Sequence, residues 1–119
     1  MANPTLGYLG KLNKNKGIED LIDVYTKFQE KENSSNFELT LLIGGTGSEN
    51  YIKSLKNKIK DNNVKFLGYV EDRYSFFESI EIFVFPSYSE GLGLVLLEAM
   101  AHGVICITRD VTPMNSIVD

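Results

Sequence analysis

The chain has 119 residues, 43% of them apolar and 24% charged, which fits one globular domain with one core. Its net charge of −4 argues against a nucleic-acid-binding protein, whose domain would present a basic face. Its one cysteine, Cys106, excludes an internal disulfide and a cysteine-rich metal site, so a reducing cytoplasm is the expected setting.

The first apolar run, residues 6–9, reads as a strand. The residues before it, Met1-Ala2-Asn3-Pro4, lack the charged and apolar regions of a signal peptide. Over residues 17–32, Ile18, Leu21, Ile22, Tyr25 and Phe28 recur at helical spacing. Glu19 and Asp20 fall in the first turn, where the helix dipole favours acids. Residues 37–43 read as strand two, running into Gly44-Gly45-Thr46-Gly47, and Ser48 is placed to cap the next helix. That helix extends to about residue 61, with Tyr51, Ile52, Leu55 and Ile59 inward. After a turn at Asn62-Asn63, residues 64–67 make a short third strand. A short helix over residues 71–79 carries Tyr74, Phe76 and Phe77, and residues 80–85 hold strand four. Residues 92–102 form a fourth helix, stopped by Gly103. Residues 104–108 form strand five. The longest apolar runs, residues 94–97 among them, have four residues, far short of the roughly 20 residues that cross a bilayer. The last residues, Ser116-Ile117-Val118-Asp119, stop without a finished element, so the chain reads as a piece of a longer protein.

Strands alternating with helices predict an α/β fold: one Rossmann-like, three-layer domain over residues 1–119 with a parallel sheet. Sheets of this kind bind ligands at the carboxyl ends of their strands, where the strand order reverses. With the order 3-2-1-4-5, that crevice lies between strands one and four. The loop after strand one holds Lys11 and Lys16, and the loop after strand four holds Glu90 and Gly91. Topology would therefore bring two cations, an anion and a helix N-terminus into one cleft.

The segment after strand four is the richest in chemistry. Pro86-Ser87 leads to Glu90, Gly91, Leu92 and Gly93, then to an apolar helix with Glu98 inside it. A strand–turn–helix of this kind offers bare N–H groups to an anion. Glu90 and Glu98 are eight positions apart, about 12 Å if helical throughout at 1.5 Å per residue. That is wide for two acids acting on one bond and suits two ends of an elongated ligand, such as one with vicinal sugar hydroxyls. The plainer reading makes Glu90 a loop acid and pairs Glu98 with a neighbouring cation. Gly91 and Gly93 either admit a ligand close to the backbone or form an ordinary helix entry. Lys11 and Lys16 either clamp phosphate charge or belong to a solvated loop.

Other features read more simply. Gly44-Gly45-Thr46-Gly47 has neither a Gly-Lys-Ser/Thr continuation nor a G-x-G-x-x-G pattern, so a tight strand-to-helix turn is expected rather than a phosphate cradle. Lys53, Lys56, Lys58 and Lys60 read as a solvated helix face. His102, at a helix C-terminus, is expected to cap or to meet the dipole. Cys106 is expected in the core. No metal-ligand signature appears, so no metal is expected.

These residues, from Pro86-Ser87 and Glu90 through Glu98-Ala99-Met100-Ala101-His102-Gly103, resemble the E-x7-E region of family 4 glycosyltransferases. Those are retaining, nucleotide-sugar-dependent enzymes of the GT-B fold. Leu9-Gly10-Lys11-Leu12 with Lys16-Gly17-Ile18 is similar to the opening of that family's second domain. Leu42-Ile43-Gly44-Gly45-Thr46-Gly47 and Val64-Lys65-Phe66-Leu67-Gly68-Tyr69-Val70 resemble its second and third strand segments. Four motifs agree in order and spacing over nearly the whole chain.

The resemblance implies roles. Glu90 would contact the donor sugar and Glu98 the ribose hydroxyls. Gly91, Leu92, Gly93, Leu94 and Val95 would present N–H groups to the sugar and diphosphate. Lys16 and Lys11 would neutralise the diphosphate, Lys11 standing where the family usually has arginine. Tyr69 and Val70 would border the base. The donor would be a UDP- or GDP-sugar, with no obligatory cofactor or metal, and a hexosyl group would pass to a glycan or lipid-linked acceptor. The family's preceding acceptor domain and its final strand and helix have no counterpart in the chain. The expected object is thus the C-terminal, donor-binding half of a GT-B enzyme, inactive alone. Its setting would be cytoplasmic, with membrane contact made only by the missing domain. Two other readings stand beside it. One is a non-catalytic interaction module derived from such an enzyme. The other is a dinucleotide-binding oxidoreductase domain, against which the absent G-x-G-x-x-G after strand one counts.

Overall fold

The computed structural model describes residues 4–31, 38–59, 63–86 and 94–108. Among them, five strands alternate with four α-helices. They are β1 (Thr5–Leu9), α1 (Ile18–Lys31), β2 (Thr40–Gly44), α2 (Glu49–Asn57), β3 (Val64–Gly68), α3 (Arg73–Glu78), β4 (Ile82–Phe85), α4 (Leu94–Ala101) and β5 (Ile105–Thr108). A 3-10 turn, Lys14–Lys16, follows β1. All strand pairs are parallel, and the sheet order is β3-β2-β1-β4-β5, as expected.

Alternating side chains divide the apolar residues between the two faces of the sheet. On one face Tyr8, Leu41 and Ile43 pack with Ile18, Ile22 and Tyr25 of α1 and Leu55 of α2. On the other, Leu9, Phe83 and Phe85 pack with Phe76 and Phe77 of α3, Ile80, and Leu96 and Ala99 of α4. The helical spacing of Ile18, Leu21, Ile22 and Tyr25 made α1 legible, and all four are buried. Tyr8 and Tyr25 keep their hydroxyls satisfied in this core by donating to Lys11 O at 2.7 Å and Leu39 O at 2.9 Å.

Because α1 and α2 cover one face and α3 and α4 the other, the winding reverses between β1 and β4. Arg73 enters α3 immediately after Asp72, whose carboxylate accepts from Ser75 N at 3.1 Å and from Ser75 Oγ at 2.7 Å. These bonds hold the Asp72 carboxyl below its ordinary pKa, the side-chain bond more than the backbone one. Gly103, with φ +74°, ends α4, and Val104 N donates back to Ala99 O at 3.3 Å.

Several boundaries move. Strand β2 begins at Thr40 rather than 37, a position outside the described residues. Helix α2 ends at Asn57, three to four residues before the expected end, with Lys58 as its C-cap. Helix α3 starts at Arg73 because Asp72 caps it, which leaves Glu71 outside. Strand β4 starts at Ile82, and Ile80 instead packs beneath α3. The lysine face of α2 is exposed at Lys53, Lys56 and Lys58, with Lys56 Nζ 5.5 Å from the Phe66 ring centre. Lys60 lies outside the described residues.

Candidate functional site

A cleft of about 230 Å³ opens at the carboxyl ends of the strands, beside the β1/β4 reversal. Leu9, Gly10 and Lys11 form one wall, Gly45 and Thr46 the floor, and Tyr69, Val70, Arg73 and Val95 the opposite wall. The floor depends on glycine. Gly45 has φ +133°, and a Cβ there would lie 1.8 Å from Gly10 O. Three bonds fasten this contact: Gly10 N to Gly44 O at 3.1 Å, Leu12 N to Thr46 O at 2.9 Å and Gly45 N to Gly68 O at 2.8 Å. The Gly44-Gly45-Thr46-Gly47 segment is thus the tight turn expected, and that turn also floors the cleft.

Of the residues expected at a ligand site, Lys11, Tyr69, Val70 and Val95 line the cleft. Tyr69 is 77% exposed, its ring open to a planar ligand. Leu94 is the first residue of α4. Lys16 ends the 3-10 turn, is half-buried, and donates its backbone N–H to Asn13 O at 3.1 Å. It is not among the residues that line this cleft. Glu90, Gly91, Leu92 and Gly93 lie outside the described residues.

Glu98, in the middle of α4, has the neighbouring cation that the plainer reading expected. Arg73 Nε donates to both of its carboxylate oxygens at 3.1 Å, and Arg73 Nη2 also donates to Oε1. The bond to Glu98 raises the Arg73 pKa further above an already high value. Arg73 therefore joins Glu98 to the cleft wall. Sequence reasoning missed Arg73. The only pointer was the need of an acid in an apolar helix for a partner.

His102 differs from expectation. Its ring does not cap α4 but turns to α3, with Nδ1 3.0 Å from Glu78 Oε2. It stacks on Phe77 at 5.4 Å and meets Tyr74 edge-on at 4.9 Å. The contact ties α3 to α4, away from the cleft lining. Cys106 packs at the margin of the second core, half-buried, and burial pushes its thiol pKa up.

A larger concavity, about 530 Å³, lies between α1 and the β4–β5 side of the sheet. It carries Asp20 and Asp23 against one lysine, Lys27, beside Val24, Val84 and Ile107. That charge balance disfavours a phosphate, so the smaller cleft, with Lys11 and no acid among its described lining residues, is the better candidate for an anionic ligand.

The model of the family described as Glycosyl transferases group 1 matches residues 3–119. The chain is 37% identical over 112 residues to the capsular polysaccharide biosynthesis glycosyltransferase CapM of Staphylococcus aureus, covering 92% of this chain and 29% of CapM. It superposes on Anabaena HepE, solved in complex with UDP-glucose, with TM-score 0.84 and 25% identity, covering 98% of this chain and 32% of HepE. It also superposes on the C-terminal domain of LpcC, a group 1 family protein from Francisella tularensis. There the TM-score is 0.76 and the identity 26%, over 88% of this chain and 57% of that one. The chain thus spans about a third or less of the length of CapM and HepE.

Proposed function

Because the chain belongs to the group 1 glycosyl transferases, we propose that its cleft binds the nucleotide-diphosphate part of a sugar donor. The observation that carries this reading is the convergence, at the β1/β4 reversal, of Lys11, the Gly45 and Thr46 backbone, the Tyr69–Val70 wall and the Arg73–Glu98 pair. The UDP-glucose held by HepE supports a UDP-sugar as donor, with a GDP-sugar as the other candidate. CapM supports a growing polysaccharide as acceptor.

Each residue then has a task. Glu98 accepts from the two ribose hydroxyls, Tyr69 and Val70 border the base, and Lys11 and Lys16 neutralise the diphosphate. Glu90 holds the sugar, and the N–H groups of Gly91, Leu92, Gly93, Leu94 and Val95 meet sugar and phosphate oxygens. In the transfer, the bond between the anomeric carbon and the diphosphate oxygen breaks, and its electron pair stays on that oxygen. The acceptor hydroxyl forms the new bond to the anomeric carbon and passes its proton to the departing diphosphate oxygen on the same face. Lysines and helix N–H groups stabilise the leaving charge without need of a metal. Departure and attack on one face of the sugar retain its configuration.

We further propose that the chain is the donor-binding half of a two-domain enzyme, with the acceptor domain contributed by other sequence. The partial coverage of CapM and HepE supports this, as does the match to an LpcC C-terminal domain. Catalysis then takes place at a cytoplasmic membrane surface or in the cytoplasm. Among the described residues no helix is long and apolar enough to cross a membrane.

Titration calorimetry with UDP and GDP tests the reading. One of them is expected to bind, and Glu98→Ala to weaken it about tenfold or more, as befits hydrogen bonds to a charged acceptor. Absence of binding by both at millimolar concentration would refute it.

A further inference from the structure

Arg73 lines the cleft, yet the roles above leave it without a task. Its guanidinium approaches Glu98 side-on, with Nε bonded to both carboxylate oxygens and Nη2 to one. Both side chains stay partly open, at 45% and 42% exposure. We infer that Arg73, itself on the cleft wall, is the positioning residue for Glu98, setting the plane of its carboxylate so that the acceptor capacity Arg73 leaves free receives the ribose hydroxyls. The inference rests on the donor site proposed above.

Three physical points support it. The last torsion of a glutamate is broad, so a free carboxylate samples many planes. A planar guanidinium fork removes that freedom, which a lysine cannot do. A carboxylate has about four acceptor positions; the three Arg73 contacts leave one wholly free, on Oε2, and a second only partly used, because one Nε hydrogen is shared between both oxygens. Charge matters as well. An unpaired Glu98 would repel a diphosphate bound nearby, whereas the Arg73–Glu98 pair is neutral and still accepts hydrogen bonds.

The mount is also fixed. Arg73 opens α3 directly after the Asp72 cap. At the other end of α3, Glu78 and Phe77 are held to α4 through His102. The partner of Glu98 is therefore set by two anchored helices. An exposed ion pair adds little to folding stability, so replacing Arg73 leaves the fold intact and its effect is read on the ligand.

The test measures the binding of UDP and of 2′,3′-dideoxy-UDP by calorimetry in the full-length protein, with the guanosine pair run alongside. The variants are Arg73→Gln, Arg73→Lys and Glu98→Gln. Arg73→Gln is expected to weaken UDP about fivefold while changing the dideoxy analogue less than about twofold. Arg73→Lys, which keeps charge but loses the fork, is expected to weaken UDP about threefold with the same selectivity for the ribose form. Unchanged or tighter UDP binding overturns the inference. So does equal weakening of both nucleotides, which would make Arg73 a phosphate contact. If Glu98→Gln leaves the ratio of the two affinities at its wild-type value, the donor-site role of Glu98 itself fails. If Glu98→Gln collapses that ratio and Arg73→Gln does not, only the role of Arg73 fails.

Discussion

Replacing Gly45 by alanine tests whether the floor of the cleft is a backbone-to-backbone contact. The backbone at φ +133° is open to glycine almost alone, and holding a side chain there costs about 1–3 kcal/mol. The added Cβ would also stand 1.8 Å from Gly10 O, so one loop must move. Such movement loosens the bonds from Gly10 N to Gly44 O and from Leu12 N to Thr46 O, each worth about 1 kcal/mol. The total is about 3–5 kcal/mol, a fall of roughly 10–20 °C in Tm for a domain of this size. Gly103→Ala is the control. Its φ is +74° with nothing within 4 Å of the added Cβ, so only the left-handed backbone cost of about 1–2 kcal/mol applies. Gly68 is the poorer control because its carbonyl accepts from Gly45. Urea and thermal denaturation of the two variants, with UDP affinity measured beside them, give the comparison. Equal losses of stability in Gly45→Ala and Gly103→Ala would refute the close-contact account.

Asp72 makes stability pH-dependent. Its folded pKa is depressed by the bonds from Ser75, so its contribution is present above the unfolded carboxylate value and is lost as pH falls through the folded one. Acid titration by circular dichroism should show wild type more stable than Asp72→Ala at neutral pH. The gap should close below the ordinary carboxylate range, and a gap that persists there refutes the cap. Cys106, its pKa raised by burial, should react with iodoacetamide at pH 8 more slowly than a free cysteine peptide. An equal rate, read by mass spectrometry, contradicts the burial assigned to it.

Much of the fold was legible because period is a local property. The alternation of apolar runs gave every strand and α-helix among the described residues, and with the order 3-2-1-4-5 right-handed crossovers place the helices of the two halves on opposite faces. Element ends were less legible. Asp72 looked like one more polar residue near a helix start until its bonds to Ser75 placed the cap. At the site, Lys11 could be read because it follows the first strand at the reversal, whereas Tyr69, Val70 and Val95 were legible only through the family resemblance. Arg73 could not be read. It stands in the charged run Glu71-Asp72-Arg73 at the start of the short helix expected over residues 71–79, and its partner is 25 positions away. His102 shows the same limit: its place at a helix end was plain, but its neighbour on α3 depends on packing between helices.

The sheet order also bears on how the molecule is assembled. Strand β1 comes first in the chain yet lies at the centre, paired with Thr40 on one side and Ile82 on the other at its N-terminal end. The span from β1 to β4 is about twice that to β2. By loop-closure entropy a doubling costs only about 0.6 kcal/mol, so the topology is thermodynamically cheap. Chain order is less forgiving. Lys11, Gly45 and Thr46 belong to the half that closes over short spans, while Arg73 and Val95 arrive with the half that must span back to β1. The cleft is the seam between those halves, and it exists only once the longest loop in the sheet has closed.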